Sequence, residues 1–281
     1  MPTLRRPNKP DLHYELDDFT DPWRDAPVIL LQHGYARSSR FFYNWVPYLS
    51  RFYKVVRPDM RGFGQSSREF DLQKDLNVAE YANDLEAIID AVGAESVHYC
   101  GESLGGIVGM FFAAERPRRV RTLSLVCSPL YLSEGFRKRA AFGHESWEEA
   151  LRKIGARGYA DGRNAADRFA PDTDPELVRW YAEQQGSSDV EVMIAVQKLA
   201  STINATPQLS RIEAPVLGLY PSHGPVTTPE HEELLRKHVR NLKLVHLPSK
   251  YHNLNSTQPA ACATEVLHFA AQHDGIACHE R

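Results

Sequence analysis

Short apolar runs alternate with longer helical patterns along most of the chain. Six runs have the length and composition of buried strands, at residues 28–32, 54–57, 96–100, 122–127, 216–220 and 242–246. Between two of them, residues 78–92 have helical periodicity, and Asn77 is suited to cap the first turn. This alternation predicts an α/β fold, in which a mostly parallel sheet is covered by helices on both faces.

The alternation is interrupted between residues 130 and 212. Three helical patterns follow one another there, at 146–154, 175–185 and 190–203, and Gly, Asp, Asn and Pro within 157–173 predict an irregular connection. We interpret 130–212 as a helical cap inserted into the sheet domain. Residues 1–129 and 213–281 then form the two parts of the α/β core.

Composition narrows the classes of partner. The formal net charge is −3 and the basic residues are dispersed, so no nucleic-acid interface is expected. We expect a small-molecule substrate instead. No apolar run approaches the roughly 20 residues that cross a bilayer, and no apolar stretch follows the basic N-terminal residues, so we expect a cytoplasmic protein without membrane contact. Four cysteines lack CxxC spacing, and neither a metal nor an organic cofactor is expected. Nothing in the sequence predicts an oligomeric state.

The sequence Gly101-Glu102-Ser103-Leu104-Gly105 lies between a predicted strand and a predicted helix. A G-x-S-x-G motif in this context is typical of a nucleophile elbow, where small residues on both sides allow the strand and helix to approach each other. Ser103 is therefore the candidate nucleophile. Because it is a serine, alkyl-enzyme chemistry on an aspartate is disfavoured.

Together with this elbow, two further segments resemble the α/β-hydrolase family. His33-Gly34-Tyr35 follows the strand at 28–32, and residues 57–66 resemble the family's D-x-R-G-x-G-x-S turn. The resemblance covers about residues 11–272 and implies an α/β-hydrolase fold. It also implies that the backbone N–H groups of Tyr35 and Leu104 form the oxyanion hole. His33 would then support the loop, and Asp59 and Arg61 would pair with each other to hold loops.

The same resemblance places the general base at His252. This residue lies between the last predicted strand and the predicted helix at 259–271, which is the family's position for the catalytic histidine. The chain order of Ser first and His last agrees with that arrangement. The competing candidate, His246, lies inside the strand pattern and would have to point out of the sheet.

The family's usual acid is missing. Gly224 occupies its position after the strand at 216–220, and no carboxylate stands at the alternative position near Ser128. Glu134 is the first candidate, because the chain leaving the strand at 122–127 runs along the carboxyl edge of the sheet. Glu230 or Glu232 is the second, and a Ser103–His252 dyad without an acid is the third.

These features predict a serine hydrolase that opens a carboxylic ester or lactone through an acyl-enzyme on Ser103. One alternative is hydrolysis of a C–C bond beside a ketone, and another is a ligand-binding receptor that has lost turnover. The candidate substrate-binding residues are Gly34, Arg37, Phe41, Trp180 and Tyr181. Arginines of the cap are candidates to bind a substrate carboxylate, with solvated surface as the alternative: Arg137, Arg139, Arg163 and Arg168.

Overall fold

The computed structural model describes residues 3–278, and its centre is an eight-stranded sheet. The strands are β1 (Thr3–Leu4), β2 (Leu12–Asp17), β3 (Val28–Gln32), β4 (Lys54–Pro58), β5 (Val97–Glu102), β6 (Val120–Val126), β7 (Val216–Pro221) and β8 (Leu242–Leu247). Their order is β1-β2-β4-β3-β5-β6-β7-β8, with β3 to β8 parallel and β1 and β2 antiparallel at one edge. The predicted α/β fold and its six strands are confirmed.

The sequence analysis missed the two N-terminal strands. β1 is two residues long, and β2 pairs antiparallel with β4, so that Tyr14 lies opposite Pro58. Neither strand has the continuous apolar character of the buried parallel strands, because β2 lies near the edge of the sheet and exposes Glu15 and Leu16 in part.

Helices cover both faces of the sheet. They are α1 (Val46–Leu49), α2 (Val78–Ala91), α3 (Leu104–Glu115), α4 (Glu134–Ala140), α5 (Trp147–Arg163), α6 (Pro175–Gly186), α7 (Val190–Thr202), α8 (Pro229–His238), α9 (Leu254–Thr257) and α10 (Pro259–Asp274). Asn77 caps α2 as predicted, because its side-chain oxygen accepts a hydrogen bond from the Glu80 N–H at 3.0 Å.

Alternate residues of the central strands supply two separate cores. Leu30 and Val56 pack in the cluster that contains α2 and α3, whereas Ile29 and Val55 pack in the cluster that contains α1 and α10. This division follows from the two-residue period of a strand, whose successive side chains point to opposite faces. With both faces buried, the carboxyl edge of the parallel strands is left to build a site.

Helices fill the chain between β6 and β7, apart from one isolated bridge between Tyr131 and Asn204. The expected irregular connection at 157–173 was mostly wrong. Helix α5 continues through a kink at Gly155, whose φ is 68°, and is followed by a π-helical turn at Asn164–Arg168. Helix α4 was not predicted at all. The division of the chain into a core and a cap stays a prediction.

Across residues 3–278, no helix combines the length and the apolar character that a membrane span requires.

Candidate active site

Ser103 lies on a sharp turn between β5 and α3. Its φ of 53° and ψ of −116° fall in a region that side chains other than glycine rarely adopt, and its N–H is held by the Val126 carbonyl at 2.9 Å. A Cβ added at Gly101 would collide with the backbone of Gly105, and one added at Gly105 would collide with the Gln32 carbonyl. The two glycines therefore allow the close approach of strand and helix that places Ser103 above the sheet edge.

His252 lies beside this serine. Its Nε2 is 3.2 Å from the Ser103 Oγ, which is within hydrogen-bonding distance. The backbone of its loop is tied to the π-helical turn, because the His252 N–H donates to the Asp167 carbonyl at 3.1 Å and the Asn253 N–H donates to the Arg168 carbonyl at 3.3 Å. His252 is buried, whereas Ser103 keeps part of its surface open.

Burial and neighbouring cations keep the imidazole neutral. Burial lowers the pKa of His252 well below its usual value, and the positive charges of Arg168, Arg37 and Arg163 lower it further. A neutral imidazole can accept a proton at Nε2 at neutral pH. This is the protonation state that a general base for Ser103 requires.

The structure does not bring Glu134 to His252. Glu134 begins α4, its side chain is 71% exposed, and it pairs with Lys138 at 2.7 Å. The chain leaving β6 turns outward, because Ser133 caps this helix and places Glu134 in the first turn, where the helix dipole favours a carboxylate in solvent. The expectation that Glu134 orients the imidazole was wrong.

The second candidates are also engaged elsewhere. Glu232 accepts a hydrogen bond from His246 at 2.9 Å, so that histidine is engaged at the surface rather than at the nucleophile. Burial raises the pKa of the Tyr131 phenol, and the neighbouring Glu230 raises it further.

The carboxylate nearest to the imidazole is Glu102, which the sequence analysis passed over. It is buried and paired with Arg37, and its Oε1 is 3.5 Å from His252 Nε2. Within residues 3–278, no other carboxylate lies within ion-pairing distance of this imidazole, and Glu102 faces Nε2 rather than Nδ1. The available signal was the acid within the elbow motif itself. A carboxylate that is buried beside the nucleophile requires a cation as its partner.

Arg37 is held by internal partners. Besides Glu102, its Nη2 donates to the Asn253 Oδ1 at 2.9 Å, and the Tyr181 hydroxyl donates to the same oxygen at 3.2 Å. The predicted contact of Arg37 with substrate stays a prediction. In the structure, the Arg37 side chain neutralises Glu102 and holds Asn253, the residue that follows His252.

Two loops that the sequence analysis singled out surround the serine. Gly34 lies close to the nucleophile, because a Cβ added there would be 3.0 Å from the Ser103 Cβ. The Tyr35 N–H belongs to the next residue along the chain. The Leu104 N–H begins α3 and has no acceptor one helical turn earlier. His33 accepts from the Met60 N–H at 2.9 Å and donates to the Gly34 carbonyl at 2.7 Å, while burial lowers its pKa to about 4.

Asp59 and Arg61 do not pair with each other, contrary to expectation. Asp59 accepts from the backbone N–H groups of Ser39 and Gln65, at 2.6 and 2.8 Å. Arg61 instead pairs with Asp84 at 2.6 Å and Glu80 at 3.0 Å. Both residues hold loops, but the turn between them points the two side chains to different partners.

The predicted aromatic wall packs largely against itself. Phe41 and Tyr181 are buried and meet edge to face at 4.6 Å, and Trp180 lies 5.3 Å from Phe41. Through the Tyr181 hydroxyl, this cluster reaches Asn253. Its contact with a substrate stays a prediction.

Comparisons with known proteins agree with this geometry. The α/β-hydrolase fold family model matches residues 27–259. A protein of Agrobacterium fabrum named as a carbamate hydrolase, RutD, is 31% identical over 115 residues, which are 41% of this chain and 42% of that protein. The match thus spans about two fifths of that relative's length.

Other relatives match along nearly the whole chain. The 3-oxoadipate enol-lactonase 2 of Acinetobacter baylyi is 23% identical over 84% of this chain and 86% of its own. The crystal structure of a hydrolase from Pseudomonas aeruginosa covers 96% of this chain and 97% of its own, at 24% identity and a TM-score of 0.82. From its sheet order, its nucleophile elbow and the family match over most of its length, this chain belongs to the α/β-hydrolase fold family.

Proposed function

We propose that the protein is a serine hydrolase that cleaves a carboxylic ester or lactone through an acyl-enzyme on Ser103. The observation that carries this proposal is the 3.2 Å separation of the Ser103 Oγ from Nε2 of a neutral His252, on a strained elbow. A serine is a weak nucleophile unless an adjacent base removes its proton.

In this mechanism, His252 takes the proton from Ser103 as Oγ attacks the substrate carbonyl. The oxyanion that forms is stabilised by the backbone N–H groups of Tyr35 and Leu104, each worth about 10²–10³ in rate in comparable sites. The imidazolium then protonates the leaving oxygen. Water, activated by the same histidine, releases the acid from Ser103.

The mechanism operates as a dyad. No described carboxylate faces Nδ1, and Glu102 on the Nε2 side is already paired with Arg37, so the base acts without an orienting acid. Triads whose imidazole is wrongly held lose about 10⁴ in rate. In this chain the backbone bonds of residues 252 and 253 to the π-helical turn hold the loop instead.

The relatives of this chain are named for more than one type of bond. The enol-lactonase relative supports a lactone, and the carbamate hydrolase relative supports attack on an acyl carbon next to a heteroatom. Cleavage of a C–C bond beside a ketone would use the same groups, and a receptor would bind without turnover. A panel of p-nitrophenyl esters, lactones, carbamates and vinylogous diketones separates these functions.

The test combines labelling with substitution. A fluorophosphonate should label the wild type, and Ser103→Ala should abolish both labelling and ester turnover while preserving the fold, because the change removes one hydroxyl. Ser187→Ala is the matched control, since its exposed hydroxyl bonds only the Gln184 carbonyl. Labelling of Ser103→Ala at the wild-type rate would overturn the proposal.

A further inference from the structure

The cap side of the site carries more positive than negative charge. Arg163 Nη2 pairs with Asp167 at 2.6 Å, and Arg168 Nε pairs with the same carboxylate at 3.4 Å. Arg37 is paired with Glu102. Three guanidinium groups therefore face two carboxylates, which leaves one positive charge in a region where these side chains are almost entirely buried.

This excess charge lies close to His252. Asp167 and Arg168 belong to the turn whose carbonyls accept the backbone N–H groups of His252 and Asn253. The positive charges of Arg168 and Arg163 also lower the pKa of His252, so both side chains lie within electrostatic reach of the imidazole.

A wall of aromatic rings connects the charge to the oxyanion loop. The guanidinium of Arg163 lies 5.0 Å from the Phe136 ring, which meets Trp147 at 5.7 Å. Trp147 in turn meets the Tyr35 ring at 5.5 Å. The wall therefore ends at the residue that follows Gly34, where an added Cβ would lie 3.0 Å from the Ser103 Cβ.

Several polar atoms along this wall have no hydrogen-bond partner among the described residues. Five of them can donate: the Arg163 Nε, the Arg168 Nη1, the Trp147 Nε1, the Tyr159 hydroxyl and the Asn164 Nδ2; the Asn164 Oδ1 and the Asp167 Oδ1 only accept. Asn164 is only 3% exposed. Buried polar groups are bonded in the great majority of cases, and most of these are donors, so their natural complement is an acceptor.

We propose that Arg163, Arg168 and the Asn164 amide form a subsite for a carboxylate that is remote from the bond to be cleaved. The substrate would then be an acidic ester or lactone, so the inference rests on the proposed function. A single carboxylate balances the one excess positive charge, whereas a phosphate dianion would leave an uncompensated negative charge. Planar guanidinium groups also match a carboxylate through paired hydrogen bonds.

The test uses two pairs of substrates, and the members of each pair differ in whether they carry this charge. The mono-p-nitrophenyl esters of adipate and pimelate carry a free carboxylate, and their methyl-capped diesters do not. For the wild type, kcat/KM should favour the acidic ester at least tenfold. In Arg163→Gln and Arg168→Gln, this ratio should fall towards one. Arg137→Gln is the matched control, because this cap arginine is exposed, and its ratio should remain that of the wild type.

Because both arginines are buried, two further measurements do not depend on their variants folding. Hexanoate should bind the wild type at least tenfold more tightly than hexanamide, measured by calorimetry and as competitive inhibition of a neutral ester. Asp167→Asn removes a compensating carboxylate and should retain or increase the ratio, whereas general damage to the cap would not raise it.

The outcomes distinguish a failure of the carboxylate subsite from a failure of the proposed hydrolase function. A wild-type ratio near one, or equal binding of hexanoate and hexanamide, overturns the subsite even if the fluorophosphonate labels Ser103. An equal fall of the ratio in Arg137→Gln also overturns it. If labelling of Ser103 fails while hexanoate binds preferentially, the proposed function is overturned and the anion site is supported.

Discussion

On the sheet side of the site, Glu102 neutralises Arg37, and Asn253 accepts hydrogen bonds from Arg37 and Tyr181. On the cap side, Arg163 and Arg168 share one carboxylate. The charges of the sheet side are therefore balanced, whereas the cap side keeps one positive charge for a ligand. We infer that the sheet side carries the chemistry and that the cap side selects the substrate.

The largest effect should come from the base itself. His252→Ala should lower kcat by about 10³-fold or more with little change in KM, because it removes proton transfer and leaves the cap contacts of the substrate in place. Steady-state kinetics on a neutral p-nitrophenyl ester measure this. A rise in KM with kcat preserved would place His252 among the binding residues and would break the division between the two sides.

The ion pair on the sheet side should matter for stability. Glu102→Gln leaves the guanidinium of Arg37 buried without a counter-charge and should destabilise the protein by about 3–5 kcal/mol. Chemical denaturation measures this loss. Adding Arg37→Met to the same chain should recover most of it, since removing both partners leaves no unpaired charge. A double variant no more stable than Glu102→Gln would contradict this account of the pair.

The cap should influence the base through its charges. Because burial and then Arg168 lower the pKa of His252, kcat/KM should stay level as the pH falls through 6.5 and decline only below it. Removing a cation favours the imidazolium, so Arg168→Gln should move the acidic limb upward by about one unit or less. Arg137→Gln should leave the limb where it is. A wild-type limb at or above pH 6.5 would show that the imidazole is not held neutral.

The smallest effect should come from Glu134. Its ion pair with Lys138 is exposed at the start of α4, so Glu134→Gln should change kcat and KM by less than about twofold. Kinetics on the same ester measure it. A hundredfold loss of kcat would restore Glu134 as the orienting acid and contradict the dyad.

The parts of the site that depend on local patterns could be predicted from the sequence. The elbow motif spans five residues, and part of its requirement is local, since a Cβ at Gly101 would collide with the backbone of Gly105. The parallel strands were predicted for a similar reason, because both of their faces are buried and their apolar runs are continuous.

The contacts between distant segments could not be predicted. Glu102 and Arg37 lie far apart in sequence and meet only because the parallel strands β3 and β5 end at the same sheet edge. The partners of Asp59 and Arg61 depend in the same way on how loops pack. In the cap, the extension of α5 past Gly155 overrides a local composition that favours a loop, because the helix is stabilised by packing of Tyr159 and Arg163.

The most direct test of the central claim is to trap the acyl-enzyme. Wild-type protein mixed with the mono-p-nitrophenyl ester of adipate and quenched rapidly in acid should release a burst of about one equivalent of p-nitrophenol, because the good leaving group makes deacylation the slower step. Peptide mass spectrometry should then locate the adipoyl group on Ser103. Turnover without a burst or an adduct, or an adduct on another residue, would contradict the account.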